Sequence, residues 1–143
     1  MISEHFRLEE FIDPVTFAEK GELAFTLIDP RIVDIAEFLR NSIGHPVIIN
    51  NWHTGGQYKE SGLRRMDSPT GAKRSAHKEG KAIDCKVPGL SASEVYDFVL
   101  RHESAFYDVG VRQMESIEFT KTWTHLSTRG DDNAQKKITI IKP

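Results

Sequence analysis

The run Lys81-Ala-Ile-Asp-Cys-Lys-Val87 constrains the fold most, because its residue types alternate: Ile83, Cys85 and Val87 fall on one face and Ala82, Asp84 and Lys86 on the other. Successive side chains of a strand point to opposite sides, so this pattern predicts a strand with one face on the core. Asp84 then faces away from the apolar packing. His77 precedes it on a short turn that contains Gly80, and Trp123-Thr-His125 brings a second imidazole from a separate strand-like run. Two imidazoles and one carboxylate on rigid backbone suffice for a catalytic zinc, which takes three protein ligands and keeps one position open. His77, Asp84 and His125 are therefore the candidate metal ligands. The single cysteine, Cys85, excludes an internal disulfide and a cysteine zinc cluster, and it reads as a small buried hydrophobe.

Upstream, Phe6, Leu8, Phe11, Phe17, Leu23 and Phe25 are interrupted by Pro14 and Gly21, which predicts short helical pieces capping the core. Asp29-Pro30 reads as a helix start, and Ile32, Val33, Ile35, Ala36, Phe38, Leu39 and Ile43 keep one apolar face up to Gly44. Val47 to Asn50 predicts a short buried strand. Residues 51–76 are polar, rich in Gly, Ser and Pro and aperiodic, and a loop of that length inside a compact domain is more often functional than idle. Ser91-Ala-Ser-Glu94 is a capping box opening a helix to about His102. Strands are then expected over 107–111, 116–120 and 123–127, the last two as a hairpin, with an edge strand over 138–141. A single α+β domain over residues 1–143 follows, a small antiparallel sheet with helices packed around it. With 38% apolar residues the chain can bury a core of this size, and a net charge of −2 with both signs mixed argues against nucleic acid as a partner and against a polybasic membrane anchor.

Hydrolysis at a metal also needs a base and an electrophile. If Lys121-Thr122 were a two-residue turn, Glu118 would stand opposite His125 with Cβ atoms about 5 Å apart. That makes Glu118 the expected base. Lys-Thr is poor chemistry for such a turn, and a longer loop brings Glu115 or Ser116 into play; Glu118 would then be a solvated sheet carboxylate. Arg64 and Arg65, with Lys73 and Arg74, could hold an anionic substrate end, since arginine bonds a carboxylate with two parallel hydrogen bonds. His53 lies in the long loop and could line a cleft. His5, His45 and His102 lie near element ends without partners in the pattern.

Ser75-x-His77-x-x-Gly80-x-Ala82-x-Asp84 matches the S-x-H-x-x-G-x-A-x-D motif, and with it the chain resembles the zinc D-Ala-D-Ala peptidases, which belong with lysostaphin-type enzymes and the hedgehog signalling domain. Ser61-Gly62-Leu63-Arg64 resembles the S-G-Y-R segment of that family, and Trp123-Thr-His125-Leu-Ser-Thr-Arg129-Gly resembles the segment carrying its last zinc ligand. The opening His5-Phe-Arg-Leu-Glu-Glu-Phe11 is similar to the start of phage and bacterial members, so the likeness runs over residues 4–130. It implies Zn2+ on His77, Asp84 and His125, and cleavage of peptide bonds in peptidoglycan. Arg64 corresponds to an arginine that contacts substrate and polarises the scissile carbonyl, and Ser75 to a residue that steadies a ligand or touches substrate. Three positions depart from the pattern: Thr122 and Ser127 stand where members carry the catalytic acid, and Leu63 replaces a tyrosine. The hedgehog arrangement, with its glutamate several residues earlier, is nearer to Glu118.

The expectation is thus a zinc metallopeptidase that degrades bacterial cell wall, an endolysin or virion-associated lysin of a phage or prophage. Without a basic, apolar leader at Met1 it would be made in the host cytoplasm and act in the periplasm or wall after release, or travel in a virion beside other virion proteins. A second reading keeps fold and zinc without hydrolysis, as a virion structural or peptidoglycan-binding module. A two-histidine, one-carboxylate iron oxygenase fits less well, because His77 and Asp84 are seven positions apart rather than two.

Overall fold

The computed structural model describes residues 1–143. Four α-helices and several 3₁₀ turns surround a four-stranded sheet, an α+β arrangement. The N-terminal segment packs more deeply than a cap: Phe6, Phe11 and Ile12 are fully buried, while Leu23 and Phe25 stay exposed. Helix α1 (Pro14–Lys20) is capped by Asp13, whose side chain accepts from Thr16 N at 2.8 Å. Helix α2 (Arg31–Ile43) buries Ile32, Val33, Ile35, Ala36 and Leu39 and stops at Gly44, which takes the left-handed conformation that residues with a Cβ avoid.

Strand β1 (Ala82–Cys85) follows a 3₁₀ turn at Ala76–Glu79, and helix α3 (Ala92–Arg101) opens on the Ser91/Glu94 capping box expected from the sequence. Two expectations fail beyond it. Residues 103–109 form helix α4 (Glu103–Val109) rather than a strand, because Phe106 is drawn into an aromatic contact with Phe38 at 4.9 Å and Phe98 at 6.2 Å. Residues 116–120 are turn rather than strand, with Phe119 N bonded to Ser116 O at 2.9 Å. The strand in this region is β2 (Gln113–Glu115).

Strand β3 (Thr124–Ser127) therefore has no hairpin partner at 116–120. It lies between β1 and β2 and runs antiparallel to both, and strand β4 (Thr139–Ile141) adds to the far edge of β2 in parallel, giving the order β1-β3-β2-β4. The sheet is mixed rather than purely antiparallel because β4 pairs with β2, and both run opposite to β3. Val47–Asn50 contributes only a bridge, Ile48 to Lys86. The apolar residues of helices, sheet and N-terminal segment merge into one buried cluster that includes Ile83, Cys85, Met114 and Leu126 from the sheet. The opposite face of β1 and β3 is left for polar side chains.

Candidate metal centre

Strand pairing sets the first half of the site. Asp84 and His125 are direct partners across β1 and β3, so their side chains rise from the same face as neighbours. His125 Nδ1 lies 2.9 Å from Asp84 Oδ1.

The turn before β1 sets the other half. Ser75 caps it, its Oγ accepting from His77 N at 3.2 Å, and Gly80 ends it at φ 69°. Gly80 is required twice over, since a side chain there would be strained by that φ and would strike the Leu27 carbonyl. Asp29 N donates to Gly80 O at 2.9 Å and ties the turn to the start of α2. His77 Nδ1 is 2.9 Å from Gly62 O; a carbonyl can only accept, so Nδ1 carries a hydrogen and Nε2 is the ring atom offered to a metal. Nε2 points at Asp84 Oδ1, 3.1 Å away.

Both histidines are almost wholly buried, 3% and 4% exposed, and their rings meet edge to face at 5.0 Å. The three ligating atoms lie within 4.8 Å of one another, so this group could hold a metal ion. The spacing fits one: bonds of about 2.0 Å to a tetrahedral ion put ligand atoms about 3.3 Å apart. Burial would push the Asp84 carboxyl up, but the adjacent His77 and His125 outweigh it and hold the group well below the usual carboxylate range. Asp84 is therefore an anion in the folded protein, as a ligand must be.

Glu115 completes the group. Its Oε1 is 3.4 Å from His125 Nδ1, on a side chain 22% exposed. The register explains it: Gln113 pairs with Ser127 and Met114 with Leu126, so the next residue of β2 comes beside His125. Glu118, the expected base, is displaced by the same fact. It sits on the turn after β2 with 56% of its side chain exposed, bonded to Lys142 at 3.2 Å and Ser116 at 3.3 Å, and it takes no part in the cleft.

Arg64 is brought in by the backbone, its N donating to His77 O at 3.1 Å and Leu63 N to Phe11 O at 2.7 Å. Its guanidinium is buried, with Nη2 bonded to Glu60 O at 3.0 Å and Nε lacking any partner. A cleft of about 420 Å³ lies over these groups, walled by Arg64, Ser75, His77, Asp84, Glu115 and His125 among others. Ser75 thus reaches the cleft, although its hydroxyl is engaged as a cap. His53 does not. It is half-buried on the Trp52–Thr54 turn against Trp52, whose indole donates to Ile12 O at 2.9 Å, and it belongs to the neighbourhood of Glu10 instead. Arg65 turns away as well, toward Asp67 at 3.1 Å and Glu19 at 3.5 Å, while Arg74 lines the cleft. His5 pairs with Glu37 and His102 bonds back to Phe98 O, both far from the triad in use if not in type.

Lys86 was not singled out from the sequence, although the alternation sets it on the face of Asp84. Its Nζ bonds to Ile49 O at 2.8 Å, Ser61 Oγ at 2.8 Å and Asp84 O at 3.2 Å, and lies 4.0 Å from the Tyr58 ring centroid. It fastens the long loop to β1 behind the carboxylate. Burial holds its ammonium below the ordinary lysine range. Cys85, on the opposite face, is buried with its thiol pushed up to about 12, chiefly by that burial, and is an inert packing group. No family model, curated protein or solved structure matches the chain.

Proposed function

We propose that the protein is a zinc-dependent peptidase acting on the peptides of bacterial cell wall, a lysin of phage or prophage origin. The observation that carries the reading is the convergence of His77, Asp84 and His125 with a fourth, half-buried acid, Glu115, at 3.4 Å from a ligand nitrogen and open to a cleft. A purely structural metal site closes its coordination with protein ligands, whereas a catalytic one keeps three and an open side. Zinc held by the three residues would supply Lewis acidity to water and to a peptide carbonyl.

The chain's own groups supply the rest. Glu115 Oε1 is the acceptor for the proton that water gives up, and it later returns that proton to the leaving amine. Arg64 lines the same cleft, and its guanidinium, of which only Nη2 is engaged, with Glu60 O, would donate to the oxygen that gains charge as the carbonyl is attacked. Gly62 O fixes the tautomer and angle of His77. Lys86 and Ser75 hold the two backbone segments that carry the ligands.

The test is a pair of substitutions in protein carrying one zinc per chain, with release of peptide fragments from purified peptidoglycan as the readout. Glu115→Gln is expected to lower the rate by about 10²- to 10⁴-fold with zinc retained, and Glu118→Gln to leave it within about twofold of wild type. Full activity in Glu115→Gln would remove the base from the account. A zinc-loaded wild type that releases nothing would leave the binding-module reading in its place.

A further inference from the structure

A cavity of about 470 Å³ lies between α1, the Gly21–Leu27 turn, the long loop and the back of the Ala76–Glu79 turn. It shares Arg64 with the cleft over the triad but contains none of the three candidate ligands. Thr16, Leu63 and Lys78 form its buried walls, and Lys20, Leu27 and Met66 stand exposed at its rim. The three carboxylates of the walls are all in ion pairs: Glu19 and Asp67 with Arg65 at 3.5 and 3.1 Å, and Glu79 with Arg129 at 3.1 Å. Lys20 and Lys78 are in none. Lys78 is only 8% exposed, and its Nζ has a single acceptor, Ser68 O at 2.9 Å, for three donor hydrogens. Lysines are almost never so buried without a partner of opposite charge.

We infer that this cavity is a second binding site, for a small amphipathic carboxylate, and that its occupancy is felt at the triad. The carboxylate takes the Lys78 ammonium, with Lys20 at the mouth, and the apolar body of the ligand lies against Leu27, Leu63 and Met66. The volume is in the range that takes a small molecule, and one buried, unpaired lysine suits a single negative charge. Lys78 also explains the link to the metal centre, because it follows His77 on the same turn. The loop wall leads there too: Arg64 N donates to His77 O at 3.1 Å, and Gly62, just before Leu63, holds His77 Nδ1 through its carbonyl. A ligand that ties Lys78 to the loop and to α1 restricts the turn carrying His77 and so tightens metal binding. The binding stands apart from the hydrolytic reading above; the coupling rests only on the triad's being a metal site.

The probe is octanoate, with octanol and acetate as its apolar and charged halves. The full chain is titrated by calorimetry without metal, so that the carboxylate meets no zinc in the cleft. Octanoate is expected to bind once per chain and at least about tenfold more tightly than either half. Lys78→Met, which keeps the apolar stem, and Leu27→Glu, on the exposed rim, are each expected to weaken it at least about fivefold. Arg74→Ala, in the cleft over the triad, is expected to leave it within about twofold. Leu27→Glu keeps the test decisive if Lys78→Met disturbs the turn. No saturable binding, equal affinity for octanol, or weakening by Arg74→Ala in place of Leu27→Glu would overturn the site. Zinc affinity, measured in competition with a chelator, is expected to rise about fivefold or more at saturating octanoate, with the same factor in octanoate affinity when zinc is bound. An unchanged zinc affinity would overturn the coupling, as would a rise that persists in Leu27→Glu, which would put the carboxylate on the metal. None of these readouts uses hydrolysis, so failure of the site and failure of the peptidase reading are told apart.

Discussion

Asp84 is the residue on which the site turns, because one of its oxygens meets both imidazoles, at 3.1 and 2.9 Å. Losing a group that merely orients a metal ligand costs about 10- to 100-fold in affinity, so His125→Ala, which removes a ligand outright, is expected to weaken zinc by more than about 100-fold in competition with a chelator. Unchanged affinity would displace the triad from the account. Asp29 acts at a distance from the triad: it accepts from Arg31 Nη2 and from Thr128 Oγ1, each at 2.8 Å, and its backbone holds Gly80. Burial would raise its carboxyl, but these bonds prevail and hold it below the ordinary 3.8. The stability this gives is fully present above that value and is lost as pH falls through the lower folded one. Asp29→Asn should therefore cost about 1.5 to 3 kcal/mol at neutral pH in urea unfolding, with the gap to wild type closing below about pH 4; a gap independent of pH would contradict this. The direction in which Asp84 faces was legible in the sequence, because local alternation alone decides it, and the fold brings His77 and His125 to it as candidate ligands. Glu115 was not, since its position depends on which strand lies beside His125.

Strand β3 has two neighbours, and the hairpin expected at 116–120 would have given it another. Its partners are β1, remote in sequence, and β2, which lies just before the 116–123 turn, and the buried set Ile83, Met114 and Leu126 joins all three. A tight turn at Lys121-Thr122 was the only local signal, and it was chemically weak. Helix α4 teaches the same lesson from the other direction. Tyr107-Asp-Val-Gly-Val111 reads locally as a strand, but its first residues extend a helix begun at Glu103, because Phe106 is fully buried against Phe38 and Phe98. Tertiary packing overrides the local preference of β-branched residues. Phe106→Ala should accordingly cost about 3 to 5 kcal/mol in urea unfolding, the range for emptying a buried aromatic site. A loss below about 1 kcal/mol would show that the aromatic contact does not hold α4 in place. By contrast, α2 and the capping box of α3 were readable because periodicity and caps lie within the elements themselves.

Across the whole molecule, the cleft lies where segments remote in sequence are pinned to one another. The N-terminal segment holds the long loop through Glu10 O to Asn50 N and Phe11 O to Leu63 N, and the loop returns to the sheet through Ser61 O to Asp84 N at 2.7 Å. Gly62 approaches Phe11 so closely that any side chain would strike its carbonyl. The polar, aperiodic composition of residues 51–76 showed that this loop was worth functional attention, and the fold shows why: it carries Arg64 and Thr70 in the cleft wall and the Gly62 carbonyl behind His77. A loop contributes such groups through its tertiary path, which no periodicity records. The account as a whole is tested most directly by counting new amino groups released from purified peptidoglycan while zinc is titrated into metal-free protein. Release is expected to rise in proportion to bound zinc and to level off at one zinc per chain. No release at full occupancy, or equal release by the metal-free protein, would contradict it.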